Sequence, residues 1–338
     1  MRKTHMDLCR IAACVMVLLI HSSAVLYRQC PIDHSAFIPL SFIGTMMRGS
    51  VPVFFMLTGA LFFSREQLEL KSFFKSHVLR MLGLFFFWGA AYALLSRLIR
   101  GNFGSLYDFF MDLARGHYHL WFLTAMATVC LFLPVAHAAL KGGRLDPGYL
   151  LFLFLFLGIF LANCNLTPAP TYILHQLTLN FSLSYLPYLG YAVWGWWLSG
   201  RRLGRRWLWI APLVFFAVTA AAAGGNTWYS NYKATADGWL FSYFSLPSFI
   251  QASMIFCFFQ AMEGRQFKRP ELWKRLSKCT LGVYLIHPLV INFLELVGLP
   301  LSLEHPLSSL AVFTAVLSLI CFFAAWLCSK LPIIKKLM

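Results

Sequence analysis

The chain has 338 residues, of which 59% are hydrophobic and only 12% charged, about half the charged share of a soluble domain. Its apolar residues come in blocks of bilayer length rather than in 3.6-residue stripes, which excludes a soluble globular domain and predicts an all-α polytopic membrane bundle, one domain over residues 1–338. The formal net charge of +16 is concentrated in alternate loops, the pattern of a membrane-orientation signal rather than a nucleic-acid surface, so the lipid bilayer is an expected partner and nucleic acid is not.

Apolar blocks between polar breaks predict ten spans, near 8–27, 39–63, 78–99, 119–139, 149–165, 181–199, 207–224, 239–261, 279–297 and 308–328. Placing the N-terminus in the cytoplasm sorts the basic residues. Arg65, Lys71, Lys75 and Arg80, then Lys141 and Arg144, Arg201 to Arg206, Arg265 to Lys278, and Lys330, Lys335 and Lys336 fall inside. The opposite loops hold Arg28, Arg97, Arg100, Arg115 and Lys233. This asymmetry follows the positive-inside rule, and an even number of spans puts both termini in the cytoplasm. The inner loops read as topology and anionic-lipid signals; contact of Arg201 to Arg206, or of Arg265 to Lys278, with an anionic cofactor is the sharper alternative. Arg2, Lys3 and Ser22-Ser23-Ala24 mimic a signal peptide, but Arg10 and His21 interrupt its apolar core, so the first span is read as retained. The nine cysteines show no metal-ligand spacing, and no metal is expected. Cys30 and Cys164 share the outer side, a pairing that the sequence neither requires nor excludes.

Ionisable side chains within these spans carry the chemistry. Asp7, Arg10 and His21 lie in or against span one, where an Arg or Asp at the helix centre costs about 2.5–3.5 kcal/mol. Eleven residues put Arg10 and His21 on nearly one face, about 16 Å apart. Asp7 and Arg10 are spaced to pair at i, i+3, or to anchor at the interface with Arg10 snorkelling. Arg48 precedes Ser50-Val51-Pro52-Val53-Phe54-Phe55 in span two; Pro52 predicts a kink, and Ser50, Thr58 and Gly59 predict close helix approach. His119 and Trp121 open span four beside His117 and Tyr118, as an interfacial aromatic belt or as site residues. In span nine, Tyr284 and His287 share a face, Pro288 predicts a bend, and Glu295 lies on nearly the same face.

In order along the chain, these motifs resemble the acyltransferase-3 family, the ten-helix membrane O-acyltransferases of bacterial surface polysaccharides. Asp7-Leu8-Cys9-Arg10-Ile11-Ala12 with His21 is similar to the family's first-helix signature. Arg48 with Ser50 to Phe55, His119-Leu120-Trp121-Phe122, and Leu281 to His287 resemble its later blocks. The resemblance covers essentially the whole chain. It departs at Thr58-Gly59, where Ser-Gly is commoner, and a single-domain member without a fused SGNH-type hydrolase domain is expected. Length and layout look closest to the enterobacterial-common-antigen O-acetyltransferase type.

The resemblance implies a multi-pass enzyme of the bacterial inner membrane. It would move an acyl group, acetyl above all, from cytoplasmic acetyl-CoA to a hydroxyl of a carbohydrate or lipid-linked sugar acceptor. His21 would act as general base, or carry the acyl group in a two-step route. Arg48 would stabilise developing negative charge, Arg10 with Asp7 would meet the donor, and His119, Trp121, Tyr284 and His287 would line the acceptor side. The other classes considered are a transporter or flippase for a lipid-linked or sugar substrate, whose polar residues would form a substrate path, and a non-catalytic sensing or scaffold domain. The lack of a visible inverted repeat counts against the transporter.

Overall fold

In hydrocarbon a backbone N–H or C=O must find its partner within its own segment, so a long apolar run has little choice but to coil into a helix. The computed structural model describes residues 3–102, 104–143, 145–154, 185–236, 238–299 and 301–330, and its elements there are all helical. Among the described residues, seven helices are long and apolar enough to cross a membrane: Thr4–Gln29, Phe37–Phe62, Leu70–Arg100, Trp121–Lys141, Trp207–Lys233, Pro270–Leu296 and Pro306–Cys328. The chain is therefore a polytopic helical membrane protein. Most of the span expected at 149–165 lies outside the described residues, as do Cys164, Arg144, Lys335 and Lys336.

In chain order the helices are α1 (Thr4–Gln29), α2 (Phe37–Met46), α3 (Ser50–Phe62) and α4 (Leu70–Phe73), which runs through a π-helical turn (Phe74–Leu79) into α5 (Arg80–Arg100). Then come α6 (Leu106–Arg115), α7 (Trp121–Lys141), α8 (Tyr188–Ser199), α9 (Trp207–Lys233), α10 (Leu246–Gln260), α11 (Pro270–Leu296) and α12 (Pro306–Cys328). Span two is broken at Met47, Arg48 and Gly49 rather than at Pro52. Pro52 falls in the first turn of α3, where a missing N–H removes no intrahelical bond. Gly49 in that break lies against α10, where a Cβ would come within 2.8 Å of the backbone nitrogen of Ala252. The sequence reading also missed α6, although Ser105 and Asp108 form a reciprocal capping box at its start, a signal that the Ser-x-x-Asp spacing carries.

Two compact units divide the chain. The first joins the residues up to Leu57 with those from Trp197 onward, and the second is Thr58–Trp196. In the first, α1 packs against α2, α10, α11 and α12. Cys14 and Leu18 of α1 meet Val283 and Ile291 of α11 and Phe313 and Leu317 of α12. Nearer its far end, Leu26 joins Phe37, Leu40 and Leu310. Lipid tails are as apolar as leucine, so these contacts stabilise by dispersion and shape rather than by escape from water.

In the second unit α5 packs on α6 and α7. Gly59 lies against the backbone of Ala192, where any Cβ would collide with the Ala192 carbonyl; this is the close helix approach that Thr58-Gly59 predicts. Arg97, expected in an outer loop, is instead 7% exposed within α5. It pairs with Asp112 of α6 at 2.6 Å, which ties the short helix to the long one.

Candidate functional site

In the first unit, α1 and α11 bring together two of the residues that the sequence singles out. The His21 and His287 rings lie 4.7 Å apart between centroids, tilted by 37°. His287 is fully buried, and its Nδ1 lies 2.7 Å from the carbonyl oxygen of Tyr284. A carbonyl only accepts, so Nδ1 carries the hydrogen and Nε2 carries the lone pair of the neutral ring. The cause is local. Pro288 has no N–H to give to the carbonyl four residues back, which is that of Tyr284, and the His287 ring takes the vacant place. The Tyr284 ring itself lies 6.1 Å from the His287 ring, so span nine contributes both predicted residues to this cluster.

At the opposite end of α1, Asp7 is buried and Arg10 half-buried. Lys3, just before α1, forms an ion pair with Glu263. Gln260 of α10 donates to Glu263 at 2.8 Å and to the carbonyls of Ser199 and Arg201 at 3.3 Å. The N-terminal end of α1 thus sits in a polar, charge-bearing layer, about five helical turns from His21.

Arg48 occupies the break between α2 and α3, and the connection between α9 and α10 holds it. Its Nε donates to the Gly44 carbonyl at 3.2 Å, and its guanidinium lies 4.3 Å over the Phe241 ring. The guanidinium also hydrogen-bonds the Tyr243 hydroxyl. Gly44 leaves room for Phe241, since a Cβ there would meet the ring at 3.2 Å. Buried Asn226 fixes the loop from behind. Its Oδ1 accepts from the Leu240 N–H at 2.9 Å, and its Nδ2 donates to Thr45 Oγ1 at 3.4 Å. None of Asn226, Phe241 and Tyr243 is among the residues that the sequence reading selected. Asn226 was legible in principle, as a polar side chain in a helix that runs nine residues past the expected end of its span.

His119 and Trp121 belong to the second unit, where they join different clusters. His119 is 1% exposed, and its Nδ1 lies 2.8 Å from Nδ1 of His117. One of the two nitrogens must donate and the other accept, so the pair shares one proton across that contact. Tyr92 stacks on His117 at 4.2 Å and meets His119 edge-on at 5.1 Å. Burial depresses the His117 imidazole to about 4, so the ring is neutral at ordinary pH. Trp121 instead faces Tyr185 and Tyr188, at 6.1 and 6.0 Å. His117 and Tyr92 are further residues that spacing alone did not select.

The first unit holds a paired-imidazole site on α1 and α11 and a clamped guanidinium in the α2–α3 break, and the second holds a histidine–tyrosine cluster at the start of α7. Comparison with known proteins finds no match among curated proteins or solved structures. A family profile described as "Acyltransferase domain" matches residues 4–329, a stretch that takes in all three constellations. The chain belongs to the acyltransferase-3 family, and its activity class is membrane acyl transfer.

Proposed function

We propose that this protein is an O-acyltransferase of the bacterial inner membrane that moves acetyl from cytoplasmic acetyl-CoA to a hydroxyl of a surface-glycan or lipid-linked sugar. Ten spans with both termini in the cytoplasm, acting as one domain, complete the reading, and length and motif layout are nearest the enterobacterial-common-antigen O-acetyltransferase type, with the individual acceptor left open. The observation that carries it is the His21–His287 contact at 4.7 Å, in a chain of this family. An ionisable pair inside a membrane bundle is a functional site by default.

The donor supplies a thioester carbonyl; the chain's residues bind, orient and move a proton. His21 takes the proton of the acceptor hydroxyl as its oxygen bonds to the acyl carbon, and the C–S bond breaks to release the thiol. In the two-step alternative the acyl group rests on His21 first. His287, fixed in one tautomer by Tyr284, positions the His21 ring. Arg48 stabilises the negative charge that gathers on the acyl oxygen. Arg10 and Asp7 meet the donor at the cytoplasmic end of α1, and Tyr284, His119 and Trp121 contact the acceptor.

The test is transfer of labelled acetyl from acetyl-CoA to glycan in membranes carrying His21→Ala. Transfer is expected to fall to background while membrane insertion and yield stay at wild-type level. Full transfer in that variant would falsify the assignment. Mass spectrometry of glycans with and without the protein reads the acceptor as a gain of one acetyl group.

A further inference from the structure

Within the second unit, the segment 70–79 and α7 enclose a groove of about 1240 Å³, larger than the roughly 300–1,000 Å³ of an ordinary small-molecule pocket. Its walls are apolar and open. Phe74, Leu131 and Val135 line it and are 41%, 49% and 69% exposed. Both walls depart from regular helix: one is the π-helical turn Phe74–Leu79, a feature frequent at functional sites, and the other carries Pro134 inside α7. At one end the lining gathers charge. Lys71 and Lys75 sit at the start of the Leu70–Arg100 helix and Lys141 ends α7, with Glu66 as the one carboxylate in the lining among the described residues. The three lysines are exposed.

An apolar trough capped by three cations matches one chemistry, an acyl chain carrying a phosphate. We propose that this groove binds an anionic phospholipid of the cytoplasmic leaflet. Its phosphate would sit among Lys71, Lys75 and Lys141, and its acyl chain would lie along Phe74, Leu131 and Val135. The leaflet follows from the orientation proposed above, in which the 65–75 segment and Lys141 are cytoplasmic. Lipid that merely coats the protein shows no headgroup preference, whereas each basic residue at an anionic surface contributes roughly a five-fold preference.

The test is native mass spectrometry of the delipidated full chain offered equal amounts of phosphatidylglycerol and phosphatidylcholine with matched acyl chains. Wild type is expected to retain phosphatidylglycerol at least about ten-fold over phosphatidylcholine, and Lys71→Gln/Lys75→Gln/Lys141→Gln to lose that preference. Val135→Trp, which fills the trough and keeps every lysine, is expected to lower retention of the anionic lipid on its own. Equal retention of both lipids by wild type, an unchanged preference in the triple variant, or release of phosphatidylglycerol by acetyl-CoA would each overturn the proposal. The last outcome would assign the groove to the acyl donor. Lipid retention is read without acyl transfer, so failure here leaves the acyltransferase reading standing, and the reverse holds too.

Discussion

His287 donates from Nδ1 to the carbonyl of Tyr284 at 2.7 Å, and the next residue, Pro288, has no N–H to offer that carbonyl from the i+4 position. Three consecutive constraints follow from one proline: an i+4 donor withheld, a ring turned back along its own helix, and a single tautomer. The ring so fixed is the one that meets His21.

Pro288→Ala returns an N–H to the Tyr284 carbonyl and puts it in competition with His287. Acetyl transfer is expected to fall about ten-fold as the His287 ring loses its fixed orientation. The thermal midpoint is expected to hold or rise, because an interior helix proline costs about 3 kcal/mol. Unchanged transfer with a raised midpoint would show that the tautomer lock is dispensable.

Arg48→Lys keeps the charge but loses the planar fork and most of the stacking on Phe241. Cation–π contact is worth about 0.5–2 kcal/mol, so the variant is expected to unfold a few degrees earlier and to transfer acetyl at least ten-fold more slowly. Phe241→Leu removes the ring alone and should produce a smaller loss of the same kind. Equal activity for Arg48→Lys and wild type would remove the guanidinium from the chemistry.

Asn226→Ala orphans the Leu240 N–H and strips Thr45 of a donor. Leaving a buried donor unsatisfied costs about 1–3 kcal/mol, and this half-buried one falls toward the lower end. The thermal midpoint should drop accordingly, and transfer should drop with it because the Phe241 loop loses its anchor. Thermal melting in detergent beside an activity assay separates the two effects.

His117 adds a pH dependence whose sign is fixed. Its folded pKa, about 4, lies below the ordinary value near 6.5, so the unfolded chain binds the extra proton first. The stability held by the neutral ring is complete above pH ~6.5 and is lost as pH falls toward ~4. Midpoints measured from pH 7 down to 4 should decline in wild type and decline less in His117→Asn. The same slope in both would assign the effect to other groups.

Much of the molecule was legible before any fold. Apolar blocks of bilayer length allow little besides helix, which is why the spans at Thr4–Gln29, Trp121–Lys141 and Pro306–Cys328 fall within a few residues of their expected places. Charged and imidazole side chains inside such blocks stand out by energetic cost alone, so His21, Arg48 and His287 could be named from position. What a linear pattern does not carry is which of them touch. The tertiary structure decided that His21 meets His287 across α1 and α11 and that Trp121 faces tyrosines rather than His119. It also turned Arg97 from a loop cation into the buried partner of Asp112. Helix periodicity reports each residue's own face, whereas contacts depend on neighbours hundreds of residues away and on small residues such as Gly44, Gly49 and Gly59 that let those neighbours in.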